Sequence, residues 1–252
     1  IMKLNQIKKL IKNEGYNFIH YKTINSTMNE IKKLIEKKKQ NYFIIADEQT
    51  GGIGRRGNIW YSPKGNIYFS FNQMMSVKIE EHFIYNALTT LVISKTVDMI
   101  CKINSKIKWP NDVIVNGKKI SGVITEIIKV NEIHYIIIGV GINYESSPNI
   151  PTNPTTYLKE INSNIEMLDV IKLFMIDFVK KINEISNSTF EKILNEYKKK
   201  LLYIDNYINL EVENSSNLKG RFEDVNLDGS LVININGCKK NIYSARIIND
   251  CN

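Results

Sequence analysis

The stretch YFIIADEQTGGIGRRGNIW, residues 42–60, places an apolar run before a loop rich in glycine and arginine. The apolar run has the length and composition of a buried strand. In the loop, which we call the Gly/Arg loop (residues 49–60), glycines let the backbone turn tightly and bring bare N–H groups against an anion. The arginines supply donors for phosphate or carboxylate oxygens, and Trp60 offers a flat face for a ring. This chemistry predicts a nucleotide phosphate bound beside a small ligand.

Length and composition restrict the class of protein. The chain has 252 residues, of which 43% are hydrophobic and 24% charged, as expected for one large globular domain or a domain with a small appendage. No apolar run approaches the roughly 20 residues that span a bilayer, and no secretory signal is recognisable. Cys101, Cys238 and Cys251 are odd in number and far apart, which favours reduced thiols over disulfides or a zinc site. We therefore expect a cytoplasmic protein with no membrane partner.

The formal net charge of +8 permits an interaction with nucleic acid. The chain is, however, rich in Ile, Lys and Asn, which are the residues favoured by coding sequence rich in A and T. Several lysine clusters also fall at the ends of helical patterns, where cations are favourable. We interpret the charge as this bias and expect no specific DNA binding. A non-enzymatic nucleic-acid-binding protein remains as an alternative from a different functional class.

Hydrophobic periodicity predicts an α+β fold with two domains, residues 2–204 and 205–252. The second domain consists of short alternating strands separated by turns, which is typical of a small β-barrel. In the first domain, Ser26 or Thr27 is expected to cap a helix with Glu30 at capping-box distance. A hairpin is predicted across Asn116-Gly117. The other predicted elements are helices over residues 4–13, 80–101, 167–186 and 189–203 and strands over 17–21, 42–46, 67–71, 107–109 and 133–140.

Three further clusters carry polar groups suited to a ligand. Ser26-Thr27-Met28 begins a helix, where hydroxyls and free N–H groups could bind a ureido group or a carboxylate. Alternatively, these groups only cap the helix. In Lys108-Trp109-Pro110-Asn111-Asp112, the Lys and the Asp could hold a phosphate and a divalent ion, or form a solvated ion pair. Gly139-Val140-Gly141-Ile142-Asn143 allows close backbone approach and offers an amide that could read an adenine edge.

Together and in this order, the clusters resemble the signatures of the biotin–protein ligases. Gly52 to Trp60 is similar to the family's GRGRRGRxW, and residues 108–112 are its KWPND. Residues 119–122 are similar to its KxxG, and residues 139–143 to its GxGxN. The resemblance implies a mixed β-sheet catalytic domain packed with helices, of the class II synthetase-like type found in biotin and lipoate ligases. It also implies that the terminal β-barrel is an SH3-like domain.

The resemblance assigns roles to individual residues. Those implied to bind biotin are Ser26, Thr27, Met28, Gln49, Ile53, Gly54, Arg55, Lys119, Gly122, Gly139 and Gly141. Those implied to bind the nucleotide are Arg55, Arg56, Trp60, Lys108, Asn111 and Asn143. The implied catalytic residues are Arg55, Lys108 and Asp112, and Asp112 is also the candidate magnesium ligand. No covalent nucleophile is needed, because positioning and charge stabilisation suffice for this chemistry.

The implied activity is ATP-dependent ligation of biotin to one lysine of a biotin carboxyl carrier protein, through biotinyl-5′-AMP. ATP and Mg²⁺ are the implied cofactors, with biotin as substrate and no tightly bound prosthetic group. A homodimer is compatible with the family. A lipoate–protein ligase of similar fold and chemistry is the alternative.

The chain departs from the family pattern at a few positions. Ile53 and Asn58 stand where the family usually has Arg, and Met28 stands where Asn is common. Each lost cation removes a charge-assisted hydrogen bond worth about 1.5–3 kcal/mol where desolvated. Bifunctional members carry a helix-turn-helix domain before the Ser-Thr motif. Because only 25 residues precede Ser26, we expect a monofunctional ligase.

Overall fold

Two β-sheets organise the chain, for which the computed structural model describes residues 2–185, 187–212 and 216–248. Within these ranges the helices are α1 (Met2–Asn13), α2 (Thr27–Lys37), α3 (Phe83–Cys101), α4 (Leu158–Ile161), α5 (Met167–Asn183) and α6 (Asn187–Lys199). The strands are β1 (Asn17–Tyr21), β2 (Tyr42–Ala46), β3 (Ile67–Met74), β4 (Lys106–Lys108), β5 (Asp112–Val115), β6 (Lys118–Val130), β7 (Ile133–Ile142), β8 (Tyr207–Glu211), β9 (Leu218–Val225), β10 (Leu231–Ile235), β11 (Cys238–Ile242) and β12 (Arg246–Ile247).

The larger sheet has seven strands in the order β1-β2-β3-β7-β6-β5-β4. Only β1 and β2 are parallel, and the other neighbours are antiparallel, so the sheet is mixed. The predicted hairpin joins β5 and β6 across Asn116 and Gly117, whose φ angles of 48° and 76° are those that a tight hairpin turn requires. The predicted α+β fold class is confirmed.

Helices cover both faces of this sheet. On one face, α1, α3 and α5 pack against residues such as Phe43 and Ile45 of β2. On the other face, α2 packs its apolar stripe against the alternate β2 residues Tyr42 and Ile44. The continuous apolar composition of β2 follows from this burial on two sides.

The smaller sheet is antiparallel, with the strand order β11-β10-β9-β8-β12. It is consistent with the expected SH3-like domain. Its apolar residues join a core cluster that also includes Phe83, Trp109 and Tyr197 from the first part of the chain. Trp109 Nε1 donates to the Gly229 carbonyl at 2.9 Å, so a turn of the smaller sheet is bonded to the Lys108–Asp112 stretch. The domain boundary after residue 204 remains a prediction.

Some predicted element bounds were wrong. The segment from residue 79 forms a one-turn 3₁₀ helix, Ile79–Glu81, and the α-helix begins only at Phe83. The last helix of the larger domain ends at Lys199 and not at residue 203. Neither α4, with four residues, nor β12, with two, was predicted, since neither is long enough to show a periodic pattern. The predicted helix end at Ser186 and the thiol of Cys251 lie outside the described residues.

The predicted capping box at α2 was also wrong. Ser26 is the cap, and its hydroxyl accepts from Asn29 N at 3.5 Å. Glu30 is therefore one residue too far along the helix to reach back to the cap, and its carboxylate instead accepts from the Tyr21 hydroxyl at 3.2 Å.

Cys101 and Cys238 are free thiols in the structure. Burial and the charge of Asp98 raise the pKa of Cys101 to about 11. None of the helices in the described ranges combines the length and apolar character needed to cross a bilayer.

Candidate functional site

One cavity of about 400 Å³ is lined by all of the predicted site residues. It is bounded by the start of α2, the glycines of β6 and β7, and the Gly/Arg loop. The predicted site residues that line it are Ser26, Thr27, Met28, Gln49, Ile53, Gly54, Arg55, Arg56, Trp60, Lys108, Asn111, Asp112, Lys119, Gly122, Gly139, Gly141 and Asn143. The four motif clusters, which are far apart in the chain, therefore meet at one place.

One end of the cavity is a network of neutral hydrogen bonds, which we call the polar clamp (Thr27, Gln49, Ser62 and Ser70). Gln49 Oε1 accepts from Thr27 N at 2.9 Å and from the Thr27 hydroxyl at 3.0 Å. Gln49 Nε2 donates to Ser62 Oγ at 3.1 Å, and the hydroxyls of Thr27 and Ser70 lie 2.7 Å apart. These bonds fix the orientation of the Gln49 amide. The sequence reasoning missed Ser62 and Ser70, since neither lies in a recognisable motif.

Glycines on adjacent strands form the floor of the cavity. Gly141 of β7 pairs with Gly122 of β6, and Gly139 lies two residues further back. A Cβ on Gly139 would lie 2.6 Å from Met28 Sδ, and one on Gly141 would lie 2.3 Å from the indole of Trp60. Because glycine has no side chain, Met28 and Trp60 can lie directly against the sheet. The Gly139 side of the floor adjoins the polar clamp, and the Gly141 side adjoins the Gly/Arg loop.

The Gly/Arg loop folds back on itself. Trp60 N donates to Gly52 O at 3.0 Å, and a Cβ on Gly52 would lie 2.3 Å from the Trp60 carbonyl oxygen. Asn58 Nδ2 donates to Arg55 O at 2.8 Å, which holds a one-turn 3₁₀ helix in which Arg56 has a φ of 57°. Asn58, where the family usually has a cation, therefore has a structural role in the turn of this loop.

Arg55 extends from this turn toward the Lys108–Asp112 stretch. Its guanidinium donates to Asn111 Oδ1 at 3.4 Å and lies 5.9 Å from the centre of the Trp109 ring. Partial burial lowers the pKa of Arg55, and the nearby charge of Asp112 opposes that shift. A guanidinium nevertheless stays protonated in proteins. The site therefore holds a permanent cation on a short loop helix.

An ion pair lies beside Arg55. Lys119 Nζ lies 2.7 Å from Asp112 Oδ1, with both side chains mostly buried, and 5.1 Å from the centre of the Trp60 ring. This ion pair forms between neighbouring strands of the hairpin and was not predicted. We call Arg55, Lys108, Asp112 and Lys119 the charged end of the cavity.

Nothing in the described ranges forms a group of three or more His, Cys, Asp or Glu side chains able to hold a metal by itself. Among the described residues, Asp112 is the single carboxylate that lines the cavity. Mg²⁺ commonly binds one or two protein carboxylates together with substrate phosphates. The residues present therefore fit a magnesium ion that arrives with a nucleotide, and do not fit one held by the protein alone.

Helix α6 supports the charged end through the turn that precedes Asp112. The buried Tyr197 hydroxyl donates to the Pro110 carbonyl at 2.8 Å, and burial raises the pKa of Tyr197 well above its usual range. Asn111 Nδ2 donates to Val123 O at 2.5 Å. These two bonds fix the turn between β4 and β5, directly before Asp112. Tyr197 has no sequence signal beyond its place in the apolar stripe of a helix.

The segment 148–155, which we call the proline segment, forms another wall. It was predicted only as an irregular surface stretch, but five of its residues line the cavity. Lys119 N donates to Pro154 O at 2.7 Å, and Thr156 N donates to Lys119 O at 3.0 Å. The buried Asn143 donates its amide to Thr156 O at 3.0 Å. Asn143 therefore holds this wall, while its predicted contact with a nucleotide stays a prediction.

The smaller sheet also contributes to the cavity. Ala245, Arg246 and Ile247, around β12, line it. No site residue was predicted in this part of the chain, because a strand of two residues leaves no pattern.

The sequence and the structure are similar to those of known proteins. Residues 20–143 match the Biotin/lipoate A/B protein ligase family. The chain carries a ligase domain of this family. The matched range begins before the polar clamp and ends at Asn143, so it includes all four clusters.

Named relatives of the ligase domain extend further along the chain. The bifunctional ligase/repressor BirA of Bacillus subtilis is 25% identical over 241 residues, which are 92% of this chain and 74% of that protein. The biotin–[acetyl-CoA-carboxylase] ligase of Paracoccus denitrificans is 23% identical over 217 residues, covering 82% of this chain and 90% of that protein. Among solved structures, the biotin protein ligase from Aquifex aeolicus in complex with biotin and ATP is 27% identical, with a TM-score of 0.70 over 92% of this chain and 97% of that one. The predicted family and fold are confirmed.

Proposed function

We propose that this protein activates biotin with ATP and transfers it, through biotinyl-5′-AMP, to a lysine of a carrier protein. The observation that carries the proposal is a single cavity with a neutral polar clamp at one end and a charged end at the other. Biotin has a matching order of groups: a ureido head, an aliphatic chain and a carboxylate. The similarity to a ligase solved with biotin and ATP supports the same assignment.

The clamp suits the ureido head. Thr27 and Gln49 carry donors and acceptors that are held in place before any ligand arrives. The glycine floor, with Met28 on one side, suits the aliphatic chain because it is narrow and largely apolar. Lys119, at the far end of that floor, would lie against the bound biotin.

The charged end suits the activation step. A carboxylate oxygen of biotin attacks the α-phosphorus of ATP, the bond to the bridging oxygen breaks, and pyrophosphate leaves. Lys108 would neutralise the α-phosphate, and Arg55 would hold first the carboxylate and then the phosphate of the adenylate. Asp112 would hold a magnesium ion that arrives with ATP, and that ion would supply positive charge for the pyrophosphate that leaves. Trp60, Arg56, Asn111 and Asn143 would surround the nucleotide.

In the second step, the ε-amine of the acceptor lysine attacks the carbonyl carbon of the mixed anhydride. An amide forms, AMP leaves with the electrons of the broken C–O bond, and the amine releases its proton. The cavity supplies position and charge and no covalent nucleophile. We propose a biotin carboxyl carrier domain as the acceptor, by analogy with the relative named for acetyl-CoA carboxylase. The cytoplasmic location, the homodimer and the absence of DNA binding remain predictions.

Isotope exchange between ATP and pyrophosphate tests the activation step. Purified protein is incubated with ATP, Mg²⁺ and radiolabelled pyrophosphate, with biotin, with lipoate or with neither. We expect label to enter ATP only with biotin. Exchange supported by lipoate alone would make the protein a lipoate ligase, and exchange with neither acid would contradict the proposal.

A further inference from the structure

Large apolar side chains are exposed at the mouth of the cavity. Ile59 is 83% exposed, Tyr61 62% and Ile150 40%, and all three line the cavity. Ile59 is the most exposed large apolar residue in the described ranges. Exposed apolar groups gathered at one site commonly mark an interaction surface, whereas scattered single ones need no explanation.

The backbone holds these side chains outward from two sides of the mouth. Ile59 lies opposite Ile53 in an isolated β-bridge of the Gly/Arg loop. Tyr61 lies between Trp60, which packs on the glycine floor, and Ser62, which is buried. Ile150 belongs to the proline segment, which is bonded to the start of β6. A partner that covered the mouth would therefore meet apolar groups already in place.

We propose that Ile59, Tyr61 and Ile150, which we call the apolar rim, dock the acceptor domain whose lysine enters the cavity. This inference rests on the proposed function. A lysine side chain has a stem of only four carbons, so the surface that carries the acceptor lysine must sit directly on the mouth. Cations that line the cavity, among them Arg56 and Arg246, favour an acidic acceptor, since opposite charges steer association. The occupant is thus a folded, acidic domain with apolar side chains next to its target lysine.

The test separates docking from adenylation. Ile59→Ser, Tyr61→Ser and Ile150→Ser are compared with Ile176→Ser and Tyr207→Ser, which change similarly exposed residues away from the cavity. The probe is a purified biotin carboxyl carrier domain of an acetyl-CoA carboxylase. Three rates are measured: isotope exchange, biotin transfer to the carrier over a range of carrier concentrations, and reaction of the adenylate with hydroxylamine, a small amine that needs no docking.

We expect each rim variant to raise the KM for the carrier about tenfold, the usual scale for a central interface residue. Isotope exchange should stay within about twofold of the parent protein, because it involves no carrier. The hydroxylamine reaction should also stay within about twofold, because a small amine bypasses the rim. The two control variants should not change the carrier KM. An unchanged carrier KM in the rim variants, with exchange retained, would overturn the inference.

Other outcomes are also decisive. If Ile59→Ser disturbs the loop and abolishes exchange, Ile150→Ser on the separate proline segment decides the question alone. If the parent protein is a dimer that the rim variants dissociate without changing the carrier KM, the rim binds a second copy and the inference is wrong. Failure of the proposed function would show itself earlier, as absent exchange in the parent protein.

Discussion

The two ends of the cavity are built in different ways. At the polar clamp, Thr27 and Gln49 are joined by short hydrogen bonds and are carried by a helix start and by the segment just after β2. At the charged end, Arg55 sits on a one-turn helix, and its bond to Asn111 is long, at 3.4 Å. Neutral groups can satisfy one another within the fold, whereas Arg55 and Lys119 bring two cations near one carboxylate, Asp112, and leave positive charge with which an anion can pair. This difference agrees with the proposed function, in which the clamp binds the ureido head of biotin and the charged end activates its carboxylate.

The largest expected effect comes from removing a cation at the charged end. Lys108→Ala should slow biotin-dependent isotope exchange by about 100-fold, because charge on the α-phosphate would no longer be neutralised. Lys106→Ala, on the same strand but outside the cavity lining, should leave exchange unchanged. A loss of less than about threefold in Lys108→Ala would place the charge stabilisation elsewhere.

Removing the loop cation should affect retention of the intermediate. Arg55→Gly should release biotinyl-AMP about 10- to 100-fold faster, the loss expected for one charged hydrogen bond, so that it labels other lysines. Biotin attached to a bystander protein, measured by mass spectrometry, reports this release. Arg221→Gly, in the smaller sheet, serves as the control. Bystander labelling equal to that of the parent would remove the role assigned to Arg55.

A change in the clamp should affect biotin alone. Gln49→Leu leaves the Thr27 N–H without its acceptor, so the biotin KM should rise about tenfold and the free energy of unfolding should fall by about 1–3 kcal/mol. The ATP KM should not change. Gln73→Leu removes the acceptor of the Tyr16 hydroxyl far from the clamp and should change only the stability. Equal changes in the KM values for biotin and ATP would contradict the division between the two ends.

The smallest expected effect concerns one of the two family arginines that this chain lacks, the one replaced by Ile53. Ile53 lines the cavity, so Ile53→Arg should lower the ATP KM by about two- to fivefold, as expected for a partly exposed charge contact. Asn58→Arg should not help, because it removes the bond that holds the Arg55 turn. Ile176→Arg is the control for added charge. A higher ATP KM in Ile53→Arg would show that the loop accommodates no further cation.

Much of the fold was predictable because its signals are local. The apolar run of β2 and the Asn116-Gly117 turn each determine their own structure. The helix α4 and the strand β12 could not be predicted, since four and two residues show no period. The Glu30 prediction failed because, of the two predicted caps, Ser26 and not Thr27 is used, and the capping-box position then falls on Asn29.

The site was predictable only as far as its motifs extend. The four clusters meet in one cavity, as the resemblance implied. The supporting residues were not predictable: Ser70 lies within an ordinary strand, and Tyr197 reads as part of a helix stripe. The Asp112–Lys119 pair depends on the pairing of two strands, and a sequence motif does not reveal the distance between its side chains.

The most direct test is the intact mass of a purified biotin carboxyl carrier domain after incubation with this protein, ATP, Mg²⁺ and an equal mixture of biotin and lipoate. We expect one added biotin on a single lysine, dependent on ATP, and no lipoyl adduct. A lipoyl adduct, or no adduct from a protein that still binds biotin, would contradict this expectation.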